Sequence, residues 1–170
     1  MKYSITLITG GSRGIGRATA LLLAQNGHRV CINYRSRQTQ ADEVVELIRQ
    51  RGGEAIAIAA DIADEAQVVA MFQQIDRQLG PLTGLVNNAG ILRQQASIEQ
   101  LDAQRIATVF ATNVSGSFIC AREAVKRMAL RHGGQGGAIV NVSSAASRLG
   151  APHEYVDYAA AKGAIDTLTT

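Results

Sequence analysis

Cysteine, tryptophan and blocks of like charge are scarce in this chain of 170 residues, which has two cysteines and no tryptophan. Cys31 lies in an apolar stretch with strand character and Cys120 in a stretch with helix character, so we interpret both as small buried hydrophobic residues. Without a cysteine pattern or a His/Cys cluster, the sequence suggests neither disulfide bonds nor a zinc site. No metal-binding residues are therefore predicted.

Charge and hydropathy narrow the possible partners further. The formal net charge is only +3, and no basic run occurs that would favour a nucleic-acid or membrane partner. No apolar stretch is long enough to span a bilayer. The N-terminal apolar run is short and meets glycines at once, which is unlike a signal peptide. We therefore expect a cytoplasmic protein.

The composition is typical of an α/β protein. Hydrophobic residues make up 46% of the sequence, aromatic residues 4%, and 17 residues are glycine, which suits tight crossovers between strands and helices. The length is sufficient for one domain with a substantial core, and neither a linker nor an internal repeat is visible. Residues 1–170 are therefore predicted to form a single domain.

Apolar, β-branched runs alternate with helix-forming stretches along the whole chain. Runs such as 55–60 and 138–142 are continuously apolar, as expected for strands that are covered on both faces in a parallel sheet. Right-handed crossovers then give a doubly wound α/β fold of the Rossmann type. The strands are predicted near 3–9, 28–34, 54–60, 82–87 and 137–142, and the helices near 14–26, 39–51, 64–79, 100–130 and 155–170.

A glycine-rich turn follows the first predicted strand and opens the first predicted helix. Gly10 permits the sharp turn, Gly14 lets the backbone approach a pyrophosphate, and Gly16 lets the helix lie close to the strand. The free N–H groups and the positive dipole end of that helix favour an anion. Glycine clusters alone often mark only a loop, but a strand, a glycine turn and a helix in this order predict a dinucleotide site.

Tyr158 and Lys162 lie four residues apart in the last predicted helix, so their side chains point the same way. A lysine ammonium beside a phenol stabilises the phenolate and lowers the tyrosine pKa. A tyrosine tuned in this way can exchange a proton with an alcohol or carbonyl oxygen. Taken alone, such a pair is more often a solvated helix face.

The glycine turn, with spacing G-x-x-x-G-x-G, and the Tyr158/Lys162 pair together resemble the short-chain dehydrogenase/reductase family. Further matching stretches are Asp61-Ile62, Asn87-Asn88-Ala89-Gly90, Asn113 and the pair Ser143-Ser144. The resemblance runs from residue 3 to residue 170, and the chain looks similar to sugar dehydrogenases and 3-oxoacyl reductases. It implies an NAD(P)-dependent enzyme that transfers a hydride between the nicotinamide and a small alcohol or carbonyl substrate.

The same resemblance assigns residues to the cofactor. Asp61 would hydrogen-bond the adenine, with the backbone of Ile62 beside it, and Asn88, Ala89 and Gly90 would line the floor beneath the ribose and nicotinamide. These segments follow strands, at the end of the sheet where ligands bind in doubly wound folds. The predicted cofactor-binding residues are Gly10, Ser12, Arg13, Gly14, Ile15, Gly16, Tyr34, Arg35, Asp61, Ile62, Asn88, Ala89, Gly90, Tyr158 and Lys162.

The end of the second predicted strand bears on the choice between NAD and NADP. An acidic residue for the ribose 2′-hydroxyl would be expected there, ~20 residues beyond the glycines, but Tyr34 occupies the position and Arg35 follows it. Arg13 is a second cation that could face the same point, and an arginine fork suits a phosphate. We therefore predict NADP over NAD, although Arg35 and Arg37 could also be a solvated turn.

The catalytic residues implied by the resemblance are Asn113, Ser144, Tyr158 and Lys162. Ser144 would polarise the substrate oxygen, Tyr158 would donate or remove the proton, and Lys162 would lower the Tyr158 pKa and hold the ribose hydroxyls. Asn113 would position a water for a proton relay to Lys162. The loop before Tyr158 is one residue longer than is usual in the family. Either Ser143 or Ser144 could therefore point inward, and the second is chosen because it matches the family pattern.

The resemblance also implies segments beyond Thr170. The family fold continues with two further strands and a helix, so we expect a truncated product or a partial sequence of a longer enzyme. The strand near 137–142 would then be a bare apolar edge. Two other functions remain open: a nucleotide-binding fragment without catalysis, and an S-adenosylmethionine methyltransferase, which the missing acid and the Tyr158/Lys162 pair disfavour.

The helix regions predicted fourth and fifth are those through which the family commonly forms dimers. Small residues in 107–129, among them Ala111, Ser115, Gly116 and Ala121, would allow close helix approach. A homodimer or homotetramer is therefore expected, with a small alcohol or carbonyl compound as substrate.

Overall fold

The computed structural model of the protein describes residues 4–170, in which five strands alternate with helices. Residue 3 of the predicted first strand lies outside the described residues. The strands are β1 (Ile5–Ile8), β2 (Arg29–Tyr34), β3 (Ala55–Ala59), β4 (Gly84–Asn87) and β5 (Ala138–Asn141). The helices are α1 (Gly14–Gln25), α2 (Gln38–Gln50), α3 (Glu65–Gln78), α4 (Ala103–Phe110), α5 (Gly116–Met128), α6 (Ala146–Leu149) and α7 (Val156–Thr169).

The strands form one sheet in the order β3-β2-β1-β4-β5, and every neighbouring pair is parallel. Leu7 in the central strand β1 is in register with Cys31 of β2 on one side and with Leu85 of β4 on the other. The strand order reverses between β1 and β4, which is the switch point at which such sheets bind ligands. The predicted doubly wound parallel fold is confirmed.

Two apolar cores lie on opposite faces of this sheet. Leu7 faces a cluster that contains Phe72 of α3 and Cys120 of α5, whereas the next residue, Ile8, faces a cluster that contains Val44 of α2. Neighbouring strand residues point to opposite faces, so a strand covered on both sides is apolar throughout. The continuous apolar run of β1 follows from this arrangement. Cys31 and Cys120 are both buried, as predicted.

The helices differ in how their first turns are capped. Asp64 accepts a hydrogen bond from the backbone N–H of Gln67 at the start of α3, and Asp102 accepts one from the backbone N–H of Arg105 at the start of α4. Such caps satisfy donors that a helix leaves free at its first turn. Neither α1 nor α7 has a side-chain cap. The first turn of α1 therefore keeps free N–H groups that can bind an anion.

The helix predicted over 100–130 is present as helical backbone from Ala103 to Met128, but it contains a π turn that the sequence does not predict. The chain forms α4, a π-helical turn over Ala111–Ser115, and then α5. Gly116, directly after this turn, packs so closely on Ile62 that a Cβ atom there would lie 2.8 Å from its side chain. A π turn holds one extra residue and is common at functional sites, but hydrophobic periodicity alone does not reveal it.

The prediction that helices cover β5 on both faces is wrong for the described residues. α5 and α7 pack against one side of β5, whereas Ala138 and Val140 on the other side are exposed, Val140 by 55%. Within residues 4–170, β5 pairs only with β4 and so forms an edge of the sheet, as expected from the sequence. A short helix, α6, lies within the predicted loop after β5. No helix within residues 4–170 has the length and apolar character needed to cross a membrane.

Candidate active site

Two of the cavities in the described residues lie at the ends of the strands. The larger, about 820 Å³, lies at the amino ends of the strands and is lined by Leu82, Val140 and the glycine-rich turn after α5. It contains none of the predicted site residues. The second, about 320 Å³, lies at the carboxyl ends, where ligands bind in doubly wound sheets. We therefore identify this second cavity as the cofactor cleft.

Most of the predicted cofactor-binding residues meet in the cofactor cleft. They come from the glycine turn, the ends of β2 and β3, and the segment after β4. The predicted residues that line it are Gly10, Ser12, Arg13, Gly14, Ile15, Tyr34, Arg35, Asp61, Ile62, Asn88, Ala89 and Gly90. Gly16 lies behind the turn, and Tyr158 and Lys162 lie on α7 outside this lining.

The glycine turn has the shape that a dinucleotide requires. Gly10 and Gly14 adopt positive φ values of 62° and 55°, which side chains rarely tolerate. A Cβ atom on Gly14 would meet no atom within 4 Å and would project into open space. The backbone is thus bare where α1 begins, and its free N–H groups face a cavity that can accept a pyrophosphate. The residues present fit a dinucleotide cofactor.

Hydrogen bonds hold the glycine turn against β4. The side-chain amide of Asn88 donates to the carbonyls of Thr9 and Gly10, over 2.8 and 3.2 Å. The hydroxyl oxygen of Thr9 accepts from the backbone N–H groups of Asn88 and Ala89, each over 3.0 Å. Asn33 bonds the turn from the other side, since its side-chain oxygen accepts from the N–H of Gly10. These contacts place both segments at the same end of the cleft.

Three arginines line the end of the cleft where the second strand finishes. Arg13 belongs to the glycine turn, and Arg35 and Arg37 belong to the segment between β2 and α2. A guanidinium nitrogen of Arg35 lies 3.7 Å from a carboxylate oxygen of Asp61, so the two residues predicted to bind the adenosine half are neighbours. From the sequence, Arg37 is expected only as part of a possible solvated turn.

Tyr158 and Lys162 occupy one face of α7, as their spacing predicts. The Lys162 Nζ lies 5.6 Å from the centre of the Tyr158 ring and donates a hydrogen bond to the Val142 carbonyl at the end of β5. Lys162 is buried, and this burial lowers its pKa, an effect that the charge of Asp166 only partly offsets. The lysine is therefore held beside the phenol in a poorly solvated position.

Ser143 and Ser144 differ in what their hydroxyl groups contact. The Ser143 hydroxyl donates to the backbone carbonyl of Lys162 over 3.4 Å, so α7 occupies it. The Ser144 oxygen accepts only a local bond from the backbone N–H of Ala146. Asn113 lies in the π turn, and its side chain both donates to and accepts from the backbone of Ile91. Asn113 thus contacts the segment next to the cleft.

Sequence reasoning missed several residues of this site. Arg37 and Thr112 line the cleft, and Asn33 supports the glycine turn. Asn33 could have been noticed as a polar residue inside an apolar strand, where a buried amide needs partners. Arg37 lies two residues after Arg35 in the same turn. Thr112 gives no signal, because its place in the cleft depends on the π turn.

Fold and site together describe an α/β protein whose cleft at the switch point fits a dinucleotide. The family model described as short chain dehydrogenase matches residues 4–170. The chain belongs to this short-chain dehydrogenase/reductase family, whose members are NAD(P)-dependent oxidoreductases, so the interpretation as a methyltransferase is excluded. The expected resemblance to the family and to its 3-oxoacyl reductases is confirmed.

Curated relatives agree with this membership. The chain is 66% identical over 167 residues to an uncharacterized oxidoreductase of Escherichia coli K12, YgfF, and this match covers 98% of the chain and 68% of the relative. It is 40% identical over 163 residues to the 3-oxoacyl-acyl-carrier-protein reductase FabG of Staphylococcus aureus, covering 96% of the chain and 64% of that protein. The chain thus spans about two thirds of the length of these relatives.

The close packing of Gly16 gives a test of the cofactor cleft. A Cβ atom at this position would lie 2.5 Å from the Gly10 carbonyl oxygen and 2.6 Å from the Asn88 amide nitrogen. We expect Gly16→Ala to displace the turn and to weaken NADPH binding by about tenfold or more. Calorimetric titration of the purified variant measures this.

Gly27→Ala is the matched control for Gly16→Ala, because Gly27 follows the far end of the same helix with a φ of 82°. This change strains the backbone but lies away from the cleft, so it should reduce the free energy of unfolding by about 1 kcal/mol and leave NADPH binding unchanged. Equal losses of affinity in the two variants would contradict the assignment of the cleft.

Proposed function

We propose that this protein is an NADP-dependent oxidoreductase in which Tyr158 exchanges a proton with a small alcohol or carbonyl substrate. The observation that carries the proposal is the position of the Lys162 ammonium, 5.6 Å from the Tyr158 ring and buried in α7. A cation so close to a phenol stabilises the phenolate that forms when the proton leaves.

Each proposed catalytic residue has a separate role in the reaction. Tyr158 gives its proton to the substrate oxygen during reduction and takes it back during oxidation. Ser144 donates a hydrogen bond to that oxygen, a role for which it is preferred because Ser143 bonds to α7. The bound nicotinamide supplies or accepts the hydride at the substrate carbon. In reduction, the carbonyl thus gains a hydride on carbon and a proton on oxygen.

Lys162 and Asn113 support this proton transfer. Lys162 stabilises the negative charge that forms on the Tyr158 oxygen when the proton leaves. It is also proposed to hold the ribose hydroxyls of the cofactor. Asn113 is proposed to order a water that returns a proton to Lys162, from a π turn that packs against Ile91 at the cleft. The two backbone contacts of Asn113 would fix such a relay in place.

The choice of NADP rests on charge at the end of β2. No carboxylate directly follows β2, since the carboxylate near Arg35 is that of Asp61 after β3, and three arginines line the adenosine end of the cleft, namely Arg13, Arg35 and Arg37. An NAD-binding site needs an acidic acceptor for the ribose 2′-hydroxyl, whereas a 2′-phosphate needs donors with positive charge. One relative is named as a 3-oxoacyl-acyl-carrier-protein reductase, so a 3-oxoacyl group is one candidate substrate beside sugars and simple ketones.

Removing a single oxygen tests the role of Tyr158. We expect Tyr158→Phe to keep the fold and the affinity for NADPH but to lower kcat by about 10²-fold or more, because general acid–base catalysis contributes this much. The measurement is steady-state oxidation of NADPH with a panel of sugars, ketones and 3-oxoacyl thioesters, beside calorimetric binding of the cofactor.

Tyr155→Phe is the control, since Tyr155 is a second tyrosine close by and has no lysine four residues further on. Full turnover in the Tyr158→Phe variant would refute the mechanism. Binding of NADPH without turnover of any carbonyl by the unchanged chain would instead favour the alternative of a nucleotide-binding protein without catalysis.

Cofactor preference is tested at Arg35. We expect Arg35→Ala to weaken NADPH binding by about tenfold or more, the range for a hydrogen bond to a charged group, and to change NADH binding little. Dissociation constants for both cofactors measure this. Arg17→Ala is the control, because Arg17 is an exposed arginine of α1 outside the cleft. A parallel loss for NADPH and NADH would show that Arg35 does not contact the 2′-phosphate.

We also propose that the protein forms a homodimer or homotetramer through the helix regions predicted fourth and fifth, which correspond to α4 with α5 and to α7. Ile106 and Phe118 on these helices expose 40% and 48% of their surfaces, and Ser115 between them is exposed as well. Gly116, expected from the sequence to contribute to this face, packs inward on Ile62 instead. Apolar exposure of this kind is typical of surfaces that are covered by a partner.

Introducing a negative charge at Phe118 tests whether this face forms the interface between subunits. We expect Phe118→Asp to convert the oligomer to a monomer, because an unpaired carboxylate would be buried in the interface. Light scattering after gel filtration measures the mass. Leu130→Asp, at an exposed apolar residue beyond the end of α5, is the control and should not change it. An unchanged mass for Phe118→Asp would place the interface elsewhere.

A further inference from the structure

One arginine outside the cofactor cleft bonds to two segments that adjoin the proposed catalytic tyrosine. Arg105 lies in the first turn of α4, where its backbone N–H is capped by Asp102. Its Nε and Nη2 donate to the two carboxylate oxygens of Asp157 over 2.8 and 3.4 Å, and its Nη1 donates to the Gln94 carbonyl over 2.8 Å. The guanidinium thus links α4 to two other parts of the chain.

Asp157 is the residue directly before Tyr158, and only 2% of its side chain is exposed. Besides Arg105, its carboxylate accepts a hydrogen bond from the Tyr158 backbone N–H over 2.9 Å. Burial alone would raise the Asp157 pKa, but hydrogen bonds from Arg105 and from the Tyr158 backbone outweigh it and lower that pKa below the ordinary value. The carboxylate is therefore ionised, and Arg105 is its cationic partner.

The contact with Asp157 matters because the start of α7 has no other side-chain cap. Tyr155, the residue before the helix, makes no capping hydrogen bond with its side chain. The first turn of α7, which carries Tyr158, would otherwise be the part of the helix most prone to fraying. A bidentate arginine–carboxylate pair fixes distance and angle together, so it holds this turn in one orientation.

The second contact of Arg105 reaches the segment that runs from the cofactor cleft toward α7. Ile91 lines the cleft, and the chain after it passes Gln94 and reaches Ala96. The backbone N–H of Ala96 donates to the Glu154 carbonyl over 2.9 Å, and Ala96 forms a parallel bridge with Tyr155. Segment 92–97 therefore connects the edge of the cleft, at Ile91, with the residues directly before α7.

We propose that Arg105 is a positioning residue that fixes the Tyr158 end of α7 relative to segment 92–97, and so sets the geometry of the substrate side of the site. This inference rests on the proposed function, because it takes Tyr158 as the proton donor. The pair is largely shielded from water, with 16% of the Arg105 side chain exposed, so removing one partner leaves a buried charge without compensation. Small misplacements of a reacting group have large effects on rate.

The central test compares Arg105→Met, which removes the charge but keeps an unbranched apolar side chain, with Arg105→Lys. In Arg105→Met we expect kcat for the carbonyl substrate to fall by about 10- to 100-fold, while the NADPH dissociation constant stays unchanged. Hydrogen exchange should become faster in both 92–97 and 154–160. Arg105→Lys retains a charge opposite Asp157 but lacks the fork that also reaches Gln94.

Compared with Arg105→Met, Arg105→Lys should therefore restore most of kcat and slow hydrogen exchange in 154–160 again. Compared with the unchanged protein, its segment 92–97 should still exchange faster and its KM for the substrate should be higher. Asp157→Asn is the second variant, because it keeps the shape of the side chain if Arg105→Met does not fold, and it should speed exchange in 154–160. Arg29→Met is the matched control, since Arg29 forms an ion pair with Glu54 over 2.7 Å at the other end of the sheet. It should change neither kcat nor exchange in these two segments.

Unchanged exchange in 92–97 and 154–160 in both Arg105→Met and Asp157→Asn would overturn the proposal. So would identical behaviour of the lysine and methionine variants, because a role limited to filling space does not depend on charge. The exchange measurement needs no turnover. If the unchanged protein reduces no carbonyl, or if Tyr158→Phe remains fully active, the proposed function fails while the link made by Arg105 is still tested.

Discussion

The hydrogen bonds between Asn88 and the glycine turn are the interaction on which the site depends. The Asn88 amide binds two carbonyls of the turn, and the Thr9 hydroxyl binds two N–H groups of the segment after β4. The strand order of the sheet reverses between β1 and β4. These bonds therefore join the segments that follow the two strands at the switch point. They hold the uncapped start of α1 and residues 88–90 at the same cleft. Without these bonds, the start of α1 and residues 88–90 would not be held next to each other.

The proposed catalytic helix α7 is attached to this frame by polar contacts with three neighbours. Lys162 bonds to the end of β5, Ser143 bonds to the backbone of α7, and Arg105 of α4 bonds to Asp157. Each contact fixes one point of α7, and together they hold the helix that carries Tyr158 against α4 and the end of β5. The contacts of Arg105 and Asp157 lie beyond the motifs by which the family was recognised, and they suggest how this particular chain orients its tyrosine.

Some features were predictable because they arise from residues close together in the chain. The alternation of apolar runs and helical stretches predicted the five strands and their parallel arrangement, and the glycine spacing predicted the turn before α1. Other features depend on distant packing. The helix predicted over 100–130 contains the π turn, next to Gly116 packed on Ile62 and to Asn113 bonded to Ile91. The exposure of Val140 follows from helix packing on only one face of β5 in the described residues, which the residue type does not reveal.

The sequence by itself determined the class of fold, the place of the dinucleotide turn and the spacing that puts Tyr158 and Lys162 on one helix face. These depend on periods of a few residues and on the conformational freedom of glycine. Only the tertiary structure decided that Arg37 and Thr112 line the cleft, that Ser143 is occupied by α7, and that Arg105 meets Asp157 across 52 residues of chain. Such contacts join distant segments, and their partners are chosen by packing and by the need of buried polar groups for hydrogen bonds.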